Sequence, residues 1–190
     1  MKRAESSIRE ILGRSTGLFE QDWFEYEEML AALVKGMSFL IVGGAGSIGS
    51  AVVKMLARFE CRELVVIDLD ENGLAELVRD IRATDAGSSV RITPFAICCG
   101  SHQFDRFIEA VDINFEYVLN FSALKHVRSE KDPFTLSRMF ETNIINAMKL
   151  RDLASSLGGE KYFCVSTDKA SEPVNLMGAS KRLMEEFCFS

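Results

Sequence analysis

The sequence has 190 residues, of which 47% are hydrophobic and 26% charged, a composition ordinary for one soluble globular domain. Its 22 basic and 28 acidic residues give a formal net charge of −6, which argues against nucleic acid as the main partner. No apolar run approaches the ~20 residues of a membrane-spanning helix, and the N-terminus lacks the apolar core of a signal peptide.

The five cysteines form no CxxC pair and are odd in number, and the two histidines lie far apart in the chain. A disulfide framework and a metal site are therefore not predicted, and a cytoplasmic location fits best.

Residues 1–37 are predicted to form an N-terminal helical extension, with Gly36 ending the last helix. The apolar side chains near one face of that helix are Trp23, Met29, Leu30, Leu33 and Val34. The helix either packs on the domain or forms a contact in a homo-oligomer with Trp23 and Phe24 as anchors.

From residue 38 onward, short apolar runs alternate with helical patterns. The runs with the character of strands are SFLIVGG, ELVVID, VRITPFAI, EYVLNFSA and KYFCVST. The longest helical pattern covers 133–157, and the last is GASKRLMEEFCF. This alternation predicts a Rossmann-like doubly wound parallel sheet over residues 38–190. Because such sheets have about six strands, the domain is expected to be truncated at its C-terminal end, without a substrate domain.

The segment VGGAGSIGS places three glycines between a predicted strand and a predicted helix. Gly43 permits a tight turn, Gly46 allows a pyrophosphate to approach, and Gly49 allows close packing of the helix. Ser47 and Ile48 lie at the start of that helix. The strand before the loop and the acidic strand end about 20 residues after it favour dinucleotide binding over a plain turn.

Asp68 and Asp70 follow the second predicted strand. A carboxylate at the end of this strand accepts hydrogen bonds from the adenosine ribose and repels a 2′-phosphate, so Asp68 favours NAD over NADP. Asp70 is better explained as the N-cap of the next helix.

The fifth predicted strand ends in Ser166, Thr167, Asp168 and Lys169, and Lys181 follows on the last helix. Singly, each of these residues fits an exposed loop or an exposed helix surface. Their clustering at the carboxyl end of a strand, where ligands bind in open α/β sheets, favours a reactive site instead.

The segments GGAGSIGS, VIDLDENGL, SALKHV, ETN and STDKASEPVNLMGASKRL together resemble the extended short-chain dehydrogenase/reductases. More narrowly, they resemble the polysaccharide-biosynthesis branch that contains UDP-N-acetylglucosamine 4,6-dehydratases. The resemblance covers roughly residues 38–190, and ILGR at 11–14 is similar to the segment before this domain in some members.

The resemblance implies roles for individual residues. Lys169 would remove the proton at carbon-5 of the sugar, Asp168 would protonate the leaving hydroxyl, and Thr167 would hydrogen-bond near the reacting carbons. Lys181 would hold the nicotinamide ribose, and Asn143 would fix the active-site helix. The residues implied to lie near the cofactor or substrate are Ser122, Ala123 and Lys125.

Met177 stands where most relatives have a tyrosine that exchanges a proton with the carbon-4 hydroxyl. A subset of the branch also has methionine here, and in it the group at 167–169 would handle all proton transfers. Two further departures are Ile97 or Cys98 in place of an adenine-binding aspartate, and NFSALKHV in place of a histidine-initiated strand end.

The sequence therefore predicts an NAD-dependent nucleotide-sugar 4,6-dehydratase acting on a substrate like UDP-N-acetylglucosamine. The 190-residue chain alone is expected to bind NAD without turning over a sugar. The alternatives are a nucleotide-sugar 4-epimerase or reductase, and a non-catalytic NAD-binding module.

Overall fold

The structure is a computed structural model that describes residues 16–84, 90–159 and 161–189, together with residues 11 and 13. The predicted helical character of residues 1–10 lies outside the described residues. The chain divides into two compact units, residues 1–35 and 36–190.

The first unit contains one described helix of 15 residues, α1 (Glu20–Val34). Glu20 and Asp22 lie in its first turn, where negative charge complements the helix dipole. Met29 and Leu33 are exposed, so the predicted apolar stripe does not form one protected face.

The second unit is built on a five-stranded parallel sheet with the strand order β3-β2-β1-β4-β5. The strands are β1 (Ser38–Val42), β2 (Glu63–Asp68), β3 (Arg91–Ala96), β4 (Tyr117–Asn120) and β5 (Lys161–Cys164). Leu40 of β1 lies opposite Val65 of β2 on one side and Val118 of β4 on the other. The Rossmann-like sheet predicted from the sequence is confirmed.

The helices of this unit connect the strands as predicted. They are α2 (Ser47–Leu56), α3 (Glu71–Arg82), α4 (His102–Ala110), α5 (Pro133–Phe140), α6 (Asn146–Ser156) and α7 (Leu176–Phe189). A π-helical segment, Glu141–Ile145, joins α5 to α6, and 3₁₀ turns cover Val127–Lys131 and Asp168–Ala170. The predicted N-cap is confirmed, since the Asp70 carboxylate accepts a hydrogen bond of 3.0 Å from the Gly73 amide.

The core lies between the sheet and its covering helices. Every residue of β1 is buried, whereas β3 and β5, which end the sheet, are only partly covered. Phe104 of α4 and Leu150 of α6 are fully buried against the same cluster as Leu40 and Val118. Within the described ranges, no helix has the length and apolar character that crossing a membrane requires.

Candidate cofactor and catalytic site

A cavity of about 570 Å³ opens at the carboxyl edge of the sheet. It lies at the ends of the neighbouring strands β1 and β4, from which the chain continues to β2 on one side and to β5 on the other, and open α/β sheets bind ligands at this position. The site residues named from the sequence that line it are Gly43, Gly46, Ser47, Ile48, Gly49, Asp68, Ser122, Ala123, Lys125, Ser166, Thr167, Lys169, Met177 and Lys181. Asp168 and Asn143 are not among its lining residues.

The glycine loop forms one wall of the cavity and tolerates no side chain at Gly43 or Gly49. Gly43 has φ of 78°, and a Cβ there would lie 2.6 Å from the Ser122 backbone nitrogen. A Cβ at Gly49 would lie 2.2 Å from the Gly43 carbonyl oxygen. Gly46 is the N-cap of α2 and has no side chain to bind the first-turn amides, which leaves this helix end suited to an anionic group.

Asp68 is held at the cavity by two backbone amides. Its Oδ2 accepts a hydrogen bond of 2.8 Å from the Ala45 amide, and its Oδ1 accepts one of 3.1 Å from the Asp70 amide. These bonds fix the carboxylate beside the glycine loop and leave lone pairs on both oxygens for ribose hydroxyls.

The segment after β5 forms a 3₁₀ turn in which Thr167 and Asp168 are hydrogen-bonded to each other. The Thr167 hydroxyl and the Lys169 amide each donate a hydrogen bond of 2.9 Å to Asp168 Oδ1. The bond from Thr167, followed by that from the Lys169 amide, lowers the pKa of the exposed Asp168 carboxyl. This carboxyl is therefore ionised at neutral pH in the structure.

Helix α7 brings Met177 and Lys181 into the cavity one turn apart. Both side chains are buried, and Lys181 Nζ donates a hydrogen bond of 2.7 Å to the Val165 carbonyl at the end of β5. Burial lowers the pKa of Lys181. A Cβ at Gly178 would lie 2.5 Å from the Lys169 carbonyl oxygen, so α7 packs directly on the backbone of the 3₁₀ turn.

Asn143, in the π-helical segment, links two sides of the site without facing the cavity. Its Oδ1 accepts a hydrogen bond from the Leu124 amide, and its Nδ2 donates to the Leu124 carbonyl and to the Ser180 hydroxyl, all at 2.9 Å. The Ser180 hydroxyl donates in turn to the Met177 carbonyl at 2.7 Å. Asn143 thereby ties the loop after β4 to α7.

Several lining residues were not named from the sequence as site residues. Arg138, Thr142 and Asn146 lie four residues apart along the segment from α5 to α6 and all line the cavity. This spacing is that of one helical face, but in the sequence a polar face of this kind has the same pattern as one exposed to solvent. Ile97 and Cys98, noted as departures at an adenine site, also line the cavity.

The parallel sheet, the glycine loop and the acidic end of β2 together define a Rossmann-like domain of the short-chain dehydrogenase/reductase type. More specifically, the chain belongs to the polysaccharide biosynthesis protein family, which matches residues 39–190.

Similar proteins agree with this assignment. The chain is 36% identical to an uncharacterized membrane protein of Methanocaldococcus jannaschii, over 82% of this chain and 44% of that protein. It is 26% identical to a UDP-N-acetylglucosamine 4,6-dehydratase (inverting) of Campylobacter jejuni, over 78% of this chain and 42% of that enzyme. The chain thus spans less than half the length of these relatives.

Among solved structures, a variant of UDP-glucuronic acid 4-epimerase from Bacillus cereus was determined with UDP-4-deoxy-4-fluoro-glucuronic acid and NAD. It superposes with a TM-score of 0.65 at 16% identity, over 80% of this chain and 51% of the epimerase. At this identity the likeness supports the fold.

Proposed function

We propose that the chain is the cofactor-binding portion of an NAD-dependent nucleotide-sugar 4,6-dehydratase whose substrate resembles UDP-N-acetylglucosamine. The observation that carries the proposal is that Lys169 and the glycine loop line one cavity. A basic side chain beside a dinucleotide site is the arrangement needed for proton removal next to a carbon oxidised by NAD.

The residues present fit a dinucleotide. The uncapped start of α2 suits a pyrophosphate, and Asp68 suits the hydroxyls of the adenosine ribose. Lys181 Nζ donates to the Val165 carbonyl at 2.7 Å and to the Met184 sulfur at 3.4 Å, and its third N–H group is directed to the nicotinamide ribose in our proposal. NAD would supply acceptance of a hydride from carbon-4 of the sugar and its return at carbon-6.

The residues of the 3₁₀ turn would carry the proton transfers. Lys169, as the neutral amine, would take the proton from carbon-5 once carbon-4 is a ketone. Asp168, as the carboxylate, would take the proton that the carbon-4 hydroxyl loses when carbon-4 is oxidised, and would give it to the hydroxyl leaving carbon-6. Lys169 would return its proton to carbon-5 when the hydride reaches carbon-6, and Thr167 would orient Asp168 through the hydrogen bond they share. The net change is loss of one water molecule from the sugar, with no net oxidation.

Asp168 must gain a proton before it can act as an acid, and its lowered pKa opposes this. A bound sugar that excludes water from the turn would raise that pKa, because burial disfavours the charged carboxylate. Substrate binding therefore prepares Asp168 in this proposal.

A non-catalytic NAD-binding module is the second candidate, and Met177 is the observation that favours it. Its thioether, buried at the cavity one turn before Lys181, carries no proton to exchange with the carbon-4 hydroxyl. A 4-epimerase or reductase would use the same cofactor contacts.

The deciding experiment is incubation of the protein from the complete gene with NAD and UDP-N-acetylglucosamine, followed by mass spectrometry. Loss of water from the sugar nucleotide, abolished in Lys169→Ala, is the expected result. A Lys161→Ala variant, changed at an exposed lysine at the start of β5, is the matched control. NAD binding without any change in the sugar would favour the non-catalytic module instead.

A further inference from the structure

We propose that Asn146 recognises the edge of the adenine base in this cavity, an inference that rests on the proposed dinucleotide cofactor. Asn146 is the first residue of α6 and only 3% exposed, yet it lines the cavity. None of the described residues forms a hydrogen bond with this side chain. Every side-chain polar atom of the described residues that is shut off from solvent has a partner, so the Asn146 amide atoms are not shut off. Both atoms of the amide therefore open onto the cavity.

The amide lies against the loop that leaves β3. A Cβ at Gly100 would lie 2.6 Å from Asn146 Oδ1 and 2.9 Å from its Nδ2. The flat amide thus fits beside this loop because residue 100 carries no side chain. The Gly100 backbone therefore limits movement of the amide on this side.

The same loop provides the surroundings that a purine base needs. Ile97 and Cys98 precede Gly100 and line the cavity, as does Leu69, which follows Asp68 and is 57% exposed. These side chains offer apolar surface to a flat ring. Since Asp68 is the group suited to the adenosine ribose, the attached base would lie on this side of the cavity.

An asparagine amide presents one donor and one acceptor side by side. Adenine presents the complementary pair, its exocyclic amino group next to a ring nitrogen, so the two can form a bidentate contact. An amide that is almost wholly buried and has no protein partner is costly unless water or a ligand satisfies it. Among the side chains of Ile97, Cys98 and Asn146, the amide alone combines a strong acceptor with a strong donor.

The test compares NAD with nicotinamide purine dinucleotide, which lacks the exocyclic amino group, by calorimetric titration. The unmodified protein should bind NAD about tenfold more tightly, the scale of one lost hydrogen bond in a buried site. Asn146→Leu, which keeps the branched shape and the number of side-chain heavy atoms and removes both polar atoms, should bind NAD about tenfold more weakly and lose the preference between the two dinucleotides. Asn146→Ala serves the same purpose if the leucine variant does not fold.

Two control variants separate base recognition from other losses. Asn114→Leu makes the same change at an exposed residue outside the cavity lining and should keep the preference. Asp68→Ala should weaken both dinucleotides equally. A preference that persists in both Asn146 variants overturns the inference and leaves the proposed function standing. Failure of the unmodified protein to bind either dinucleotide overturns both.

Discussion

The position of the Asp68 carboxylate determines which cofactor the cavity should prefer. Its oxygens are fixed by the amides of Ala45 and Asp70, so the negative charge cannot turn away from a 2′-phosphate. We expect NAD to bind more tightly than NADP, and Asp68→Ala to weaken NAD binding by about 1–3 kcal/mol through loss of hydrogen bonds to a charged group. Calorimetric titration of both cofactors checks this, and a preference of the unmodified protein for NADP would contradict it.

Cys61 and Cys99 should resist alkylation in the folded protein. Burial raises the pKa of each thiol to about 11, and the thiolate is the reactive form. At pH 8 both thiols are therefore protonated as well as enclosed. Timed treatment with iodoacetamide and peptide mass spectrometry should show modification of these two residues only after unfolding in urea. Prompt labelling of either one without denaturant would show that its environment opens in solution.

Sequence patterns predicted cavity-lining residues that lie close to strand ends, and left out residues whose place in the cavity depends on distant contacts. The glycine loop, Asp68 and Lys169 each adjoin a strand end, and all line the cavity. Asn146 was missed because an asparagine within a helical pattern resembles an exposed polar position. Its burial depends on Gly100, 46 positions earlier in the chain, which no helical period reveals.

At the scale of elements, Asn143 should stabilise the fold by joining the loop after β4 to α7. Asn143→Ala would leave the partly buried Leu124 amide and carbonyl and the buried Ser180 hydroxyl without this partner. We expect a loss of about 2–4 kcal/mol in the free energy of unfolding, since each unsatisfied buried group costs ~1–3 kcal/mol and relaxation recovers part of it. Urea denaturation of the variant measures this loss.

The matched control for this variant is Asn114→Ala, because Asn114 is exposed. It should change the free energy of unfolding by no more than ~0.5 kcal/mol, as is usual for surface substitutions. Equal stability of the two variants would mean that the hydrogen bonds of Asn143 contribute little.

The strands and most helices were predictable because their patterns are local. The central strands β1 and β2 are nearly continuous apolar runs, as expected where both faces of a parallel sheet are covered. The region 133–157 was predicted as one helical stretch, and the π-helical segment Glu141–Ile145 within it was not foreseen. A π turn changes hydrogen bonding by one residue per turn without a distinct composition, so helical periodicity does not reveal it.

For the whole molecule, sequence motifs predict the family and the class of cofactor. They do not predict the identity of the sugar in the proposed substrate. In the proposed function, the glycine loop and the 3₁₀ turn would contact the cofactor and the reacting carbons, which are features that many dinucleotide enzymes share. None of the motifs supplies a group that would distinguish one hexose from another. Specificity of that kind depends on contacts to the hydroxyl and acetamido groups of the sugar, for which a single sequence provides no short-range pattern.

We predict that the N-terminal extension mediates self-association. Helix α1 exposes Phe24 to 87%, Met29 to 58% and Leu33 to 46%, and burial of such side chains at an interface would contribute about 25 cal/mol per Å² of apolar surface. Deletion of residues 1–35, up to the boundary of the second unit, should lower the mass measured by analytical ultracentrifugation. Phe24→Ser should reduce association in the same direction. Phe134→Ser, at a residue of the second unit that is 83% exposed, is the matched control and should leave the mass unchanged. The same oligomer before and after the deletion would assign self-association to another surface.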